Sequence, residues 1–383
     1  MVATHRLARL LQPPRQSFFL FGPRGTGKST WIRQRFAQAT RFDLLDEALY
    51  QELLARPAAL GDRLRALKPR SWVCIDEVQR LPALLNEAHR SIEERGLRFV
   101  LSGSSARKLR RGGVNLLAGR ALNRALHPFL PAELEGRFSL EQALRIGTLP
   151  VVLASTQPEE TLRAYLRSYL KEEIQAEAIV RNLGGFARFM PIAGLMHAQV
   201  VNVSSIARDA GVARTTVNDY VEILEDTLLA FRLPAYEARL RVRERKHPKL
   251  YWVDAGLVRA AKNQLGPLAV EERGALFEGL VVNCLRAWND YRGLYDELAH
   301  WAPTETRSLE VDFVLRRGRR FIAIEAKAGA RYRPEDARGL EAIGELPGLE
   351  RRILVYARTP RLTSPAGVEV VAFDDLMALL PEL

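Results

Sequence analysis

The sequence predicts an α/β protein of several domains whose N-terminal part is built on a parallel sheet, and three observations carry that reading. The chain has 383 residues, two or three domains' worth at roughly 100–200 residues each. Short apolar runs at 18–21, 72–75 and 99–101 each pass through polar residues into helix-compatible sequence, the rhythm of parallel strands joined by helices. Hydrophobic residues are 47% and charged residues 27%, while no segment approaches the ~18 uninterrupted apolar residues of a membrane helix, so a soluble chain with an ordinary core is expected.

The run FFLF reads as a buried strand, the Gly-rich segment after it as a loop, and Ser29 onward as a helix start. This first layer is placed at 1–127. The two prolines of HPFLPAELEG break the pattern, and from 140 to 189 it turns helical, with apolar positions at Leu162, Tyr165, Leu166, Tyr169, Leu170 and Ile174. A helical lid is expected at 128–195. Two helical stretches separated by Ala210 and Gly211, then strand-like runs at 230–233 and 250–253, make a third unit at 196–265. A last α/β unit, 266–383, opens with a helical run and continues with strands near 311–315, 321–324 and 353–356.

Charge suggests the partner class. The formal charge is +12, which favours an anionic partner, nucleic acid first; yet 49 of the 57 basic residues are Arg, a skew that coding bias or heat adaptation also produces. Cys74 and Cys284 each sit in apolar runs far apart, which argues against a disulfide framework or a thiolate metal site and fits a reducing cytoplasm. The opening MVATHRLARLLQPP lacks the apolar stretch of a secretory leader, so the mature chain is expected to start near Met1.

The segment GPRGTGKS fills the pattern Gly, any four, Gly, Lys, Ser or Thr, between a strand and a helix. This is the pattern of a phosphate-binding loop. Gly22, Pro23, Gly25, Thr26, Gly27, Lys28, Ser29 and Thr30 form it: glycines let backbone N–H groups curl around phosphates, Lys28 neutralises their oxygens, and Ser29 offers a hydroxyl to Mg²⁺. A hydrolytic partner is expected on a neighbouring strand end, and WVCIDEVQ supplies a Walker B motif. Asp76 would hold the Mg²⁺, and Glu77 would orient and deprotonate the attacking water. The strand RFVLSGSS ends in Ser102 and Ser104, candidates for a polar sensor of the γ-phosphate or the water, or simply turn residues.

With LAGR at 117–120 and HPFLPAEL beyond it, the series GPRGTGKST, CIDEVQ, LSGSS resembles the bacterial and archaeal AAA-family ATPases that carry a C-terminal region of unknown function. The likeness covers nearly the whole chain and continues in HPKLYWVDAGLVRA, although Pro131 stands where a helical residue is more usual. It implies a P-loop ATPase sheet with a helical lid, working as a homo-oligomer, a hexameric or related ring. It also makes Arg120 a candidate for the arginine that completes a nucleotide site, in trans or in cis, against the alternative of a plain surface arginine.

Residues 203–229 fit a helix-turn-helix, with Ile206, Ala207, Val217, Tyr220 and Val221 inward and Gly211 at the turn. The second helix would present Arg214, Thr215, Thr216 and Asn218 to DNA, and the strands after it would form a wing whose basic tip, with Arg243 and Arg245, clamps the backbone. Winged helices also dock proteins, which is the competing use. In the last unit, LEVDFVLRRGRRFIAIEAKAG reads as a hairpin turning at Arg317 and Gly318; alternation puts Glu325 and Lys327 on one face, and pairing brings Asp312 beside them. This resembles the PD-(D/E)XK nuclease fold, or restriction-endonuclease-like fold, in which two carboxylates bind Mg²⁺ or Mn²⁺ and the lysine positions the attacking water. The same resemblance adds Glu278 as a metal-binding acid from the first helix.

The expected function is therefore an ATP-hydrolysing AAA-family enzyme that remodels or translocates DNA, branched or junction DNA included, with a metal-dependent nuclease-like terminal domain. The alternative is an ATP-switched DNA-binding regulator, or a defence-system switch, whose terminal domain is an inactive scaffold.

Overall fold

The structure is a computed structural model that describes residues 7–104, 117, 119–176, 183–237, 246–303 and 309–382, the stretch 169–176 by its backbone only. Its first sheet is ordered β2-β3-β4-β1-β5: β1 (Phe18–Phe21), β2 (Thr40–Asp43), β3 (Trp72–Asp76), β4 (Arg98–Gly103) and β5 (Leu122–Ala125). Every pairing is parallel, so each strand delivers its C-terminal end to the same edge. The expected neighbour relation between the phosphate-loop strand and the Walker B strand needs correction: β4 runs between β1 and β3. Alternation along the strands feeds two cores. Phe19, Val73, Ile75 and Phe99 face the helices Glu47–Ala55, Ala58–Arg65 and Leu84–Arg95, while Phe18, Leu20, Cys74 and Val100 face Trp31 and Ile32 of the helix Lys28–Arg35.

Helices Leu140–Ile146, Pro150–Leu153, Pro158–Ala176 and Leu183–Leu195 follow. Leu162 and Leu166 are buried as the periodicity required; the side chains of Tyr169, Leu170 and Ile174 lie outside the described residues. Helices Val203–Ala210 and Arg214–Asp226 meet at Gly211, whose φ of 64° is a left-handed cap that glycine adopts without strain. Beside them a small antiparallel sheet runs β6 (Gln199–Val200), β8 (Lys249–Trp252), β7 (Ala230–Leu233), with β8 central.

Helix Val270–Arg292 then packs on a six-stranded sheet, β9 (Glu297–Trp301), β10 (Val311–Arg317), β11 (Arg320–Lys327), β12 (Leu349–Tyr356), β13 (Leu362–Thr363) and β14 (Glu369–Ala372), in the order β13-β14-β12-β11-β10-β9. β9, β10 and β11 are antiparallel; β11, β12 and β14 are parallel. One apolar core is continuous from Leu130 through Val217, Trp252 and Leu285 to Ile353 and Leu380, crossing the boundaries expected at 195 and 265. The two C-terminal thirds are thus packed as one body. No helix among the described residues is long and apolar enough to cross a membrane.

Candidate functional site

The loop after β1 turns through Gly25 and Gly27 at φ 76° and 87°, conformations that strain any residue with a Cβ. A Cβ on Gly25 would also lie 2.5 Å from Val151 Cγ1. Lys28 opens the helix and is buried; its Nζ donates to the carbonyls of Gly22 and Pro23 at 2.7 and 3.2 Å, and the Thr26 hydroxyl donates to Pro23 at 2.8 Å. Ser29 Oγ donates to Asp76 Oδ2 at 2.6 Å. Ser102 reaches across from β4 to donate to the other oxygen of Asp76, so the intervening strand carries the bridge between the two motifs.

Glu77 stands just beyond β3 at φ 56°. Ser104 Oγ donates to its Oε2 at 3.2 Å, and Gln79 Nε2 donates to the same carboxylate and, at 3.1 Å, to Ser104 Oγ. The structure therefore brings Lys28, Ser29, Asp76, Glu77, Ser102 and Ser104 to one strand edge. Gln79, absent from the expected set, is buried at its centre.

Beside the loop lies a cavity of about 330 Å³ whose walls include Thr30, Trp31, Phe129, Pro150 and Val151, apolar enough to receive a purine base. The helical layer closes over it: Val151 N–H donates to Gly25 at 3.3 Å, and the Tyr165 hydroxyl donates to the Arg24 carbonyl at 3.0 Å. Arg9 is a second residue missed from sequence. Buried at 6% exposure, it donates to the Thr26 carbonyl at 3.3 Å, pairs with Glu133 at 3.2 Å, and donates to the carbonyl of His127.

Arg120 lies at the other end of the sheet. Leu122 pairs with Phe18, the first residue of β1, so Arg120 precedes the N-terminal edge, whereas the phosphate loop follows the C-terminal edge some ~13 Å away at the rise of a four-residue strand. It forms an ion pair with Glu93. That position sets Arg120 apart from the phosphate loop of its own chain.

Of the residues expected to meet DNA, Arg214, Thr215 and Asn218 are exposed and Thr216 is half-buried, on the helix whose buried side carries Val217, Tyr220 and Val221. Arg243 and Arg245 lie outside the described residues.

The third group is on the terminal sheet. The hairpin register pairs Phe313 with Ile324, which sets Asp312 beside Glu325; Asp312 N–H donates to Glu325 Oε2 at 3.1 Å, and Ala326 N–H to Asp312 Oδ2 at 3.0 Å. Lys327 Nζ donates to Glu325 Oε1 at 2.5 Å. Glu278 arrives from helix Val270–Arg292. Between Glu278 and Asp312 stands a residue that sequence alone assigns to the wing: Lys249, whose Nζ lies 3.0 Å from Glu278 Oε1, 3.1 Å from Asp312 Oδ1 and 3.3 Å from Glu310 Oε2. Tyr251, two residues on along the same strand face, donates its hydroxyl to Glu278 Oε1.

Burial opposes the charge on Lys249, but Glu278 and Asp312 outweigh it and hold its pKa well above the usual lysine range. Burial, with the Asp312 charge, pushes Glu278 up to about 7. Burial likewise raises Asp312, yet Lys249 and Lys327 bring it below the ordinary value. The metal set expected from Glu278, Asp312 and Glu325 does not fit this geometry. Both oxygens of Asp312 and of Glu325 already accept from protein donors, and an ammonium occupies the space between the acids. Among the described residues no group of three or more His, Cys, Asp or Glu side chains is arranged to hold a metal ion.

The class follows from the sheet: a parallel sheet with a glycine-rich loop after β1 fits a P-loop domain of the AAA type. Comparison with known proteins agrees, since residues 14–135 match the family described as AAA domain. Residues 137–267 and 273–376 match two families described as domains of unknown function (DUF8612 and DUF4143). Uncharacterized proteins of Mycobacterium bovis and Mycobacterium tuberculosis are each 26% identical over 303 residues, 76% of this chain and 66% of theirs; the chain thus spans just under two thirds of their length. Solved structures with similarity include the replication initiator DnaA bound to AMPPCP and single-stranded DNA (15% identity, 58% of this chain and 85% of that one, TM-score 0.29). A protein of Vibrio cholerae is similar over 95% of this chain and 96% of its own (13% identity, TM-score 0.23).

Proposed function

We propose that this protein is an AAA-type ATPase that hydrolyses ATP and uses the cycle to act on DNA, as a homo-oligomeric ring. The observation that carries the reading is the strand-edge pair of couples, Ser29 with Asp76 and Ser104 with Glu77. Backbone N–H groups of the loop and Lys28 would hold the phosphates, and Ser29 with Asp76 would hold Mg²⁺, which supplies neutralising charge to the phosphate oxygens. Glu77 orients the attacking water and takes its proton, with Ser104 and Gln79 fixing the carboxylate's direction. Arg120 of one subunit completes the site of the next.

DNA is engaged by Arg214, Thr215, Thr216 and Asn218 of a winged helix-turn-helix, with Arg243 and Arg245 on the phosphate backbone. The C-terminal unit is read as a PD-(D/E)XK nuclease-like fold. A second reading, an ATP-switched DNA-binding regulator whose terminal unit is a silent scaffold, is favoured at that unit by the position of Lys249.

The test is one assay of ATP turnover and strand cleavage on single-stranded, duplex and four-way junction DNA. ATP turnover stimulated by at least one DNA form is expected. Turnover unaffected by every form, with no DNA binding at low salt, would remove DNA from the account and leave an ATPase that works on proteins.

A further inference from the structure

The carboxylates of the terminal sheet are already matched to a cation, and it comes from another part of the chain. Lys249 belongs to β8, the central strand of the small sheet, where its backbone pairs with Val200 on one side and Leu233 on the other. Its stem enters the terminal unit, where the side chain is 3% exposed. The ammonium has three protons, and three carboxylates from separate positions, Glu278, Glu310 and Asp312, stand at 3.0 to 3.3 Å to receive them. These distances are those of an ammonium against oxygen; a Mg²⁺ ion would draw the same oxygens to about 2.1 Å.

Other donors of the chain hold the acids as well. Tyr251 takes Glu278, Ala326 N–H takes the second oxygen of Asp312, and Lys327 with Asp312 N–H takes both oxygens of Glu325. Asp312 and Glu325 side chains are 2% and 4% exposed, so solvent meets the group mainly on the side of Glu310 and Lys327, whose side chains are 35% and 33% exposed. Because β8 is bonded on both edges, the backbone that carries Lys249 is fixed and the stem reaches the acids from a rigid base.

We infer that Lys249 is the resident cation of this carboxylate site, a tethered ammonium standing where a divalent ion would sit, so that the wild-type terminal unit binds no divalent metal there and cuts no phosphodiester. The inference rests on the nuclease-like reading of the terminal unit and turns its expected chemistry around: the acids form a clasp that fixes the small sheet to the terminal sheet. Glu278 and Tyr251 then serve the joint between the two units.

The experiment is Mn²⁺ titration of the nucleotide-free full-length chain, followed by the paramagnetic resonance of the free ion, for wild type, Asp312→Asn, Lys249→Met and Lys249→Met with Asp312→Asn. Removing the ammonium alone leaves several buried acids unbalanced, so Lys249→Met with Glu278→Gln is carried as a second form, and melting curves with and without Mn²⁺ accompany each protein. Wild type is expected to show no Asp312-dependent site, Lys249→Met to gain one site at least tenfold tighter and a melting temperature that Mn²⁺ raises, and Asp312→Asn to remove both gains. Stoichiometric, Asp312-dependent Mn²⁺ binding by wild type would overturn the inference while leaving the nuclease-like reading intact. No site in Lys249→Met or in Lys249→Met with Glu278→Gln would overturn it together with that reading, since the acids would then never have formed a metal pocket.

Discussion

Ser29 Oγ and Asp76 Oδ2 are 2.6 Å apart, although 47 residues separate them and a whole strand lies between the strands that position them. That contact, completed by Ser102 on the intervening strand, joins the glycine-rich loop to the carboxylate at the end of β3. A loop fixed in this way meets its ligand without first having to find its shape.

Lys28→Ala should weaken ATP binding on the order of 100-fold, the cost of removing a buried charge from its partner. Gly25→Ala should also fail to bind, because a left-handed residue with a Cβ costs about 1–2 kcal/mol and this Cβ meets Val151 as well. Titration with labelled ATP checks both; normal affinity in Gly25→Ala would mean that the loop and the helical layer move apart freely.

Arg120→Ala should spare nucleotide binding and lower hydrolysis by a factor on the order of 10³, as loss of an arginine supplied in trans does. Full turnover in this variant, or a monomer by light scattering with ATP present, would reduce Arg120 to an exposed partner of Glu93, worth little by itself.

DNA affinity should fall steeply with salt. Reversing charge at Arg214, Arg243 and Arg245 together should weaken binding to all sequences alike and reduce the salt slope by about 0.9 for each phosphate that is no longer neutralised. Fluorescence anisotropy across a salt series measures it, and an unchanged slope would move the DNA surface elsewhere.

Asp254 offers a pH test. Its carboxylate caps the helix Ala255–Ala261 and accepts from Thr148 N–H at 2.6 Å, and burial pushes its pKa up to about 6 from an ordinary 3.8. Between those values the folded chain holds a proton that the unfolded chain has lost, so this group's contribution to stability declines as pH rises through the window and stays lower above it, by roughly 2–3 kcal/mol. Asp254→Asn keeps a capping oxygen and cannot ionise. Its melting temperature relative to wild type should therefore climb between about pH 4 and pH 6–7; a difference that is flat with pH would contradict the assignment.

What the sequence made legible was whatever is local or buried on both faces. β1, β3 and β4 are central strands and read as apolar runs, whereas the edge strands β2 (TRFD) and β5 (LNRA) carry polar residues towards solvent and offer no such run. The Asp312, Glu325 and Lys327 constellation was readable because a hairpin register and a two-residue alternation are short-range rules. Lys249 was not, since its partners lie 29, 61 and 63 residues away. Its flanks, Leu250, Tyr251 and Trp252, are all buried, and a lysine leading such a run was the available signal. Arg9 had no signal at all among 49 arginines.

The central claim is that Glu77 drives hydrolysis at a nucleotide held by Lys28 and Ser29, and phosphate release by wild type and Glu77→Gln at saturating Mg²⁺ and ATP tests it most directly. The account predicts wild-type turnover and a variant that binds ATP with unchanged affinity but turns over about 10²–10⁴-fold more slowly. Equal turnover in the two proteins, or equal loss of ATP binding in Glu77→Gln and Lys28→Ala, would contradict it.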